Sequence, residues 1–400
     1  MPITLDPEVL KVAEYVYENL LSQPYTEVGP EWEFNYKNPT ATNALGDGHN
    51  LQRSIQVEGK TLHRPIHGLA HTMRTLMYSQ LMYESTQRQL HPHMCRDGRT
   101  IADLTPLDLK KLNIAQLFFV AGRASEASYG DAYHRYHRYG AKHFASYARH
   151  HLTHLFSEKE IELYARCIED REGDYFDSTA EGYLIHLSHM IDLMRCKSPV
   201  EVFIGHSRGS MGIVPTLIHL FGRNDGLDIL HFARGLFAAT GEGVPYIDST
   251  EWPHLGIECD RVEKAQELIG FLQVDGKEAD AKKTGQAGFS VEGCYEALKT
   301  VNTPDWYHQK AIGMEDERAL EDFDIKDIID KEDEKEEENP IVINFPPQQK
   351  TSVPQEQEIT EPREKTGSGC CLTKFLQQLL WTSPTVKTDI EKQVDSNYTI

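Results

Sequence analysis

Up to about residue 310, apolar positions recur mostly at intervals of three and four, the spacing of helices rather than strands. In DPEVLKVAEYVYENLLS, residues 6–22, the side chains Val9, Leu10, Ala13, Val16, Tyr17 and Leu20 share one stripe. A polar, turn-rich stretch follows to about 60. The next pattern predicts a long helix over about 65–90, with Pro65 as a first-turn residue. Thr105-Pro106 opens another helix that LKKLNIAQLFFVAG carries to about 121, and 131–154 reads as a helix rich in Tyr, His and Arg. Ser157-x-x-Glu160 and Ser178-x-x-Glu181 have the form of capping boxes, each before a periodic apolar segment. Helical spacing returns near 211–222, 225–238, 258–273 and 289–300. Strand-like alternation is scarce, and no repeat of fixed period is present. The expected fold is therefore mostly α.

Beyond that point the pattern breaks. Between Glu315 and Glu338 there are 14 acids and 4 bases, which supplies about half of the net charge of -21. Such blocks are solvated rather than folded. The Pro/Gln-rich stretch INFPPQQKTSVPQEQEITEPREK continues it as a linker. The organisation expected is a helical domain over 1–312, a disordered acidic and Pro/Gln-rich linker over 313–366, and a tail over 367–400. The tail contains CCLTKFLQQLLW, which has the apolar content for contact with a membrane surface, and Cys370-Cys371 is a candidate lipidation site.

Charge and cysteines narrow the function. An acidic chain lacks the basic face that general nucleic-acid binding requires, so no nucleic-acid partner is expected. Seven cysteines without a CxxC fit a reducing compartment. The start, MPITLDPEVL, has neither the basic nor the apolar region of a secretory signal.

Two stretches carry candidate chemistry. Gly205-His206-Ser207-Arg208-Gly209 matches the G-x-S-x-G nucleophile elbow of α/β-hydrolases. An elbow needs several βα units upstream, whereas 61–196 reads as successive helices, so a glycine-flanked turn at a pocket rim is the better fit and a Ser207 hydrolase is the alternative. The second stretch is LHRPIHGLAHTMR, where His63, His67 and His71 recur every four residues. Helical spacing sets His67 beside His71, with Arg64 adjacent, at a helix N-terminus whose dipole favours anions. Arg123 and Glu126 follow, then His134 and His137, and YLIHLSHMIDL adds His186 and His189 on an otherwise apolar helix.

Three chemistries can use such a set. An HD-type metal phosphohydrolase needs a His-Asp dipeptide, which the chain lacks. A zinc peptidase needs H-E-x-x-H, and here Gly68 stands at the position of the general base. Metal-free phosphoryl transfer needs one neutral imidazole to attack and one protonated imidazole to donate, and histidine suits both tasks.

HRPIHGLAHTMR, FFVAGRASEASYGDAYHRYHRYG and YLIHLSHMIDLMR together resemble the phosphodiesterase domain of the Legionella SidE-type effectors, over about residues 30–310. The chain is too short to include the ADP-ribosyltransferase domain of full-length SidE proteins, so it is most similar to the stand-alone Dup-type members. The resemblance implies a helical phosphodiesterase that cleaves phosphoribosyl-ubiquitin from a substrate serine. It also implies conversion of ADP-ribosyl-ubiquitin to phosphoribosyl-ubiquitin and AMP. It assigns His67 as nucleophile, Glu126 as its carboxylate partner and His189 as acid and base. His63, Arg64 and His71 become pocket residues that hold the phosphate, and no metal or other cofactor is implied. The implied partners are ubiquitin, its two modified forms and serine-ubiquitinated host proteins. The implied setting is the host cytoplasm, reached through type IV secretion.

Overall fold

In the computed structural model the described residues are 2–25, 54–57, 59–64, 66–124, 131–169, 178–195, 202, 212–241 and 287–308, with the backbone alone described at 54, 55, 57 and 131–135. All of them belong to one unit, Met1–His206 with Ser210–Asp322. The acidic linker, the tail, the expected helix over 258–273, Glu126 and the GHSRG stretch lie outside the described residues.

α1 (Pro7–Val16) starts where expected. Asp6 accepts a hydrogen bond from the Glu8 amide at 2.8 Å, Pro7 occupies the first turn, and Val9, Val12, Ala13 and Val16 are buried. One short hairpin follows. β1 (Ser54–Val57) pairs antiparallel with β2 (Lys60–His63), with Val57 opposite Lys60. The tight turn includes Gly59 at φ +77°, a conformation that glycine adopts without steric cost. These strands fall in the stretch expected to be turn-rich, and four residues each are too few to raise an alternation signal.

α2 (Leu69–Thr86) is the centre of the molecule. All its residues except Gln80 and Glu84 are buried, so its pattern predicts a helix without marking a wet face. It begins at Leu69 rather than at Pro65. Gly68 is its N-cap, in extended backbone, and Arg64 before it sits at φ +56°. The chain thus turns sharply between β2 and α2. In consequence His63 lies on β2, His67 lies just ahead of the helix, and of the three only His71 is in the first helical turn.

α3 (Pro106–Leu117) opens with a Thr105/Asp108 capping box. α4 (Asp131–His151) and α5 (Glu158–Glu169) form an antiparallel pair, and the Ser157/Glu160 box precedes α5 as expected, with the Ser157 amide donating to Glu160 at 2.8 Å. The segment that leaves α3, residues 118–122, approaches α4 closely. A Cβ on Gly122 would sit 2.3 Å from the Tyr136 carbonyl oxygen, and one on Gly140 would sit 2.6 Å from that of Phe118.

α6 (Ala180–Leu193) is buried from Ala180 to Asp192 and packs along α2. Its cap is Thr179, not Ser178. The Thr179 hydroxyl accepts from the Gly182 amide at 3.1 Å, and Glu181 pairs instead with Arg99. α7 (Ile213–Phe221), α8 (Arg223–Ala239) and α9 (Val291–Leu298) complete the fold, α8 and α9 both packing on α2. A final helical turn, Asp305–His308, is fastened by the Trp306 indole, which donates to Asp228 at 2.6 Å. The fold is mostly α. Among the described residues its only sheet is the hairpin, so there is no parallel sheet to mount a nucleophile elbow, and Val202 is helical.

Candidate active site

Two fully buried helices can face each other only if their polar side chains find partners. α2 brings His71, Arg74 and Tyr78 to one face at intervals of three and four, and α6 brings His189 and Asp192 to the face opposite, with Arg195 just past its end. His67 joins them from the turn before α2. The result is a cluster of three imidazoles: His67, His71 and His189 are 6%, 2% and 3% exposed, so it is nearly closed to water. The His67 and His189 rings are within 26° of parallel, with centroids 6.3 Å apart. The His71 ring stands edge-on to both, 5.1 Å from each. Phe119 closes one side, its ring 4.9 Å from His189.

Behind His71 lies Asp192, fully buried. It accepts from His71 Nδ1 at 2.5 Å, from Arg74 Nε at 2.6 Å and Nη2 at 3.1 Å, from Arg195 Nε at 2.8 Å, and from the Tyr78 hydroxyl at 3.3 Å. Burial alone would raise its carboxyl, but Arg74 and Arg195, with His71, outweigh burial and hold it well below the usual carboxylate range. For His71, burial dominates and lowers the imidazole below its ordinary value; the pull of Asp192 opposes this, and Arg195 and Arg74 add to it. His71 is therefore neutral at pH 7. A carboxylate only accepts, so the single ring proton is on Nδ1 and the lone pair is on Nε2.

Of the other expected site residues, Arg64 is buried and bonded to the backbone of two other segments. Its Nε donates to the Gln23 carbonyl at 3.0 Å, its Nη1 to that of Ala121 at 3.2 Å, and it lies 4.8 Å from the centre of the Tyr25 ring. It ties the N-terminal segment and the α3 exit to the turn that carries His67. His63 is half-buried at the end of β2. Among the described residues no hydrogen bond or ring contact joins it to the three imidazoles. Arg123 lies over the Tyr136 ring, 4.2 Å from its centre, and His137 packs on Phe119 with centroids 5.9 Å apart. Glu126 and the His134 side chain lie outside the described residues.

Sequence reading did not identify Asp192, Arg74, Tyr78 and Arg195. A signal exists in the spacing: Arg74 follows His71 by three residues and Asp192 follows His189 by three, so each polar residue shares a face with a candidate histidine.

Comparison with known proteins finds relatives of the chain. The family model described as the SidE phosphodiesterase (PDE) domain matches residues 24–245, which contain all three imidazoles. Two curated proteins of Legionella pneumophila are similar. The ubiquitinating/deubiquitinating enzyme SdeA is 34% identical over 260 residues, 62% of this chain and 16% of that protein. The ubiquitinating enzyme SidE is 31% identical over 263 residues, 63% of this chain and 16% of that protein. The chain thus spans about a sixth of the length of these relatives. The C-terminal domain of lpg1496 from Legionella pneumophila shares the fold, with a TM-score of 0.52 at 18% identity over 74% of this chain and 96% of that domain. The same domain in complex with nucleotide gives a TM-score of 0.51 at 18% identity over the same shares of the two chains.

Proposed function

Because this chain belongs to the SidE phosphodiesterase (PDE) domain family, we propose that it hydrolyses the phosphodiester between phosphoribosyl-ubiquitin and a substrate serine, and that His67 and His189 carry the reaction. The observation that supports this most is the near-parallel His67–His189 pair. In-line displacement places the attacking nitrogen about 3–3.5 Å from phosphorus and the acid within about 2.6–3.2 Å of the leaving oxygen. The two working nitrogens then lie roughly 6–7 Å apart on opposite sides of the phosphoryl group. The ring centroids are 6.3 Å apart, a spacing between the two imidazoles of the same order.

In this mechanism a lone pair of neutral His67 forms a bond to phosphorus as the bond from phosphorus to the serine oxygen breaks. The serine oxygen takes its proton from protonated His189, leaving phosphoribosyl-ubiquitin on His67. Water then gives a proton to His189 and bonds to phosphorus, and the P–N electron pair returns to His67. The products are phosphoribosyl-ubiquitin and an unmodified serine. With ADP-ribosyl-ubiquitin the phosphorus next to the ribose is attacked and AMP departs. The α2 N-terminus beside His67 favours the anionic phosphate. Glu126, a few residues beyond Phe119 in the chain, is assigned to orient His67. The relatives' names, ubiquitinating and deubiquitinating, support a ubiquitin-linked substrate. We assign the chain to the Dup-type members, acting as a secreted effector on host proteins, with the CC-containing tail as a membrane-contact segment.

The test is product analysis by mass with a phosphoribosyl-ubiquitinated protein and with ADP-ribosyl-ubiquitin. The expected products are those above, and His67→Ala should abolish them while the far-ultraviolet circular dichroism stays unchanged. Full turnover by His67→Ala overturns the assignment.

A further inference from the structure

We propose that Asp192 is a positioning residue, acting through His71 to present a neutral imidazole whose Nε2 accepts a hydrogen bond at the His67–His189 pair. The proposal rests on the histidine-pair reading above and adds the group that controls the third ring.

The geometry carries it. Asp192 meets His71 Nδ1 at 2.5 Å and is itself fixed from three other side chains, Arg74, Arg195 and Tyr78. Five donors on two oxygens exceed the roughly four lone-pair sites of a carboxylate, so Asp192 has no freedom to rotate away. Arg74 is anchored in turn by the Thr240 hydroxyl at 2.8 Å, and Arg195 donates to the Ile66 carbonyl, in the residue before His67. The support thus reaches both the ring that Asp192 orients and the turn that holds the nucleophile. Among the described residues Nε2 of His71 makes no hydrogen bond, and its ring stands edge-on to both partners.

A role in stability alone is a poor explanation. Buried ion clusters are often matched or exceeded in stability by apolar residues of equal volume. One set directly behind a reactive imidazole does what an apolar residue cannot: it chooses which nitrogen bears the proton. The neutral His71 so produced accepts the N–H of protonated His189, or the hydroxyl proton of the incoming water, and holds that donor in line with phosphorus.

The direct test is the tautomer of His71 in the wild-type protein, read at neutral pH from the ring nitrogen shifts of 15N-histidine-labelled material, with the signal assigned by its loss in His71→Gln. The expected pattern is protonated Nδ1 and unprotonated Nε2. A protonated Nε2, or an imidazolium, overturns the proposal without reference to turnover. Asp192→Asn should mix or reverse the tautomer and lower kcat by roughly 10²–10⁴-fold with little change in KM. Unchanged kcat, or a raised KM with kcat intact, also overturns it, the second outcome making His71 a substrate-binding group. If Asp192→Asn does not fold, the wild-type spectrum decides. If His67→Ala is inactive and Asp192→Asn fully active, only the positioning role falls. If His67→Ala is active, the mechanism falls and the tautomer remains measurable.

Discussion

Gly68→Ala is the sharpest structural test of how the turn before α2 places His67. An alanine Cβ at this position would lie 2.2 Å from the Arg64 carbonyl oxygen, against 3.4–4 Å for ordinary contact. Relief needs more than 1 Å of movement between two backbones. Neither side yields easily. Gly68 is held from the helix by the Thr72 amide at 3.1 Å and the Thr72 hydroxyl at 3.0 Å, both donating to its carbonyl. Arg64 already occupies φ +56° and is tethered to Gln23 and Ala121. The displacement therefore falls on the residues between them, including His67.

An error of about 1 Å in a reacting group costs on the order of 10²-fold in rate. The same overpacking costs about 1–3 kcal/mol in stability. The expected result is a urea midpoint that falls with an unchanged slope, together with a kcat/KM near one hundredth of the parent value on the phosphodiester substrate. The control is Gly98→Ala. Gly98 has φ +80° and nothing within 4 Å of the added Cβ, so it carries the conformational penalty without the clash. That variant should lose roughly 1–2 kcal/mol and keep its kcat. If Gly68→Ala matches the parent in both midpoint and kcat/KM, the turn does not position His67 and the reasoning fails.

Two further outcomes are expected. Thr179→Ala removes the side-chain cap of α6 and should cost about 1 kcal/mol in urea denaturation, whereas Ser178→Ala should cost less; the reverse order would restore Ser178 as the cap. Acidification should destabilise the fold. Burial, with a smaller contribution from His219, lowers His93 to about 4, and burial lowers His71, His143, His219 and His231 as well. A folded-state pKa below the unfolded value of about 6.5 gives stability that is fully present above 6.5 and is lost as pH falls towards 4. His93 alone contributes about 2 kcal/mol of loss between pH 7 and pH 5. His93→Gln should therefore show a shallower fall in urea midpoint over that range, and an equal fall in both proteins would refute the assignment.

How legible the fold was depended on burial. Helices with one wet face, α1 and α5, announce themselves through stripes and caps. α2 and α6 are buried on nearly every side, and their limits depart from the pattern: the backbone turn that brings the Arg64 carbonyl against Gly68 delays the start of α2, and Arg99, 82 residues away, draws Glu181 from the cap of α6. No local rule contains the second contact. At the site, His67, His71 and His189 stood out because imidazoles recur at helical spacing where apolar residues are expected. Asp192 and Arg74 did not, because a lone charge in a helical segment reads as a wet face until its partner, 118 residues away in sequence, is known.

That partnership also changes what the third histidine can do. The family resemblance made His63, Arg64 and His71 the pocket residues that hold the phosphate. In the fold, Arg64 is tied to two carbonyls, His63 sits on the hairpin, and His71 is neutral with a lone pair on Nε2. A lone pair beside an anionic phosphate oxygen repels it. His71 must therefore face a donor, and the anion must be met by other groups: the first-turn amides of α2 and the protonated form of His189. The site then has an accepting side, set by Asp192, and a donating side, set by the α2 N-terminus. Under the proposed mechanism, a phosphodiester enters with its leaving oxygen toward His189 and its charged oxygens toward the helix.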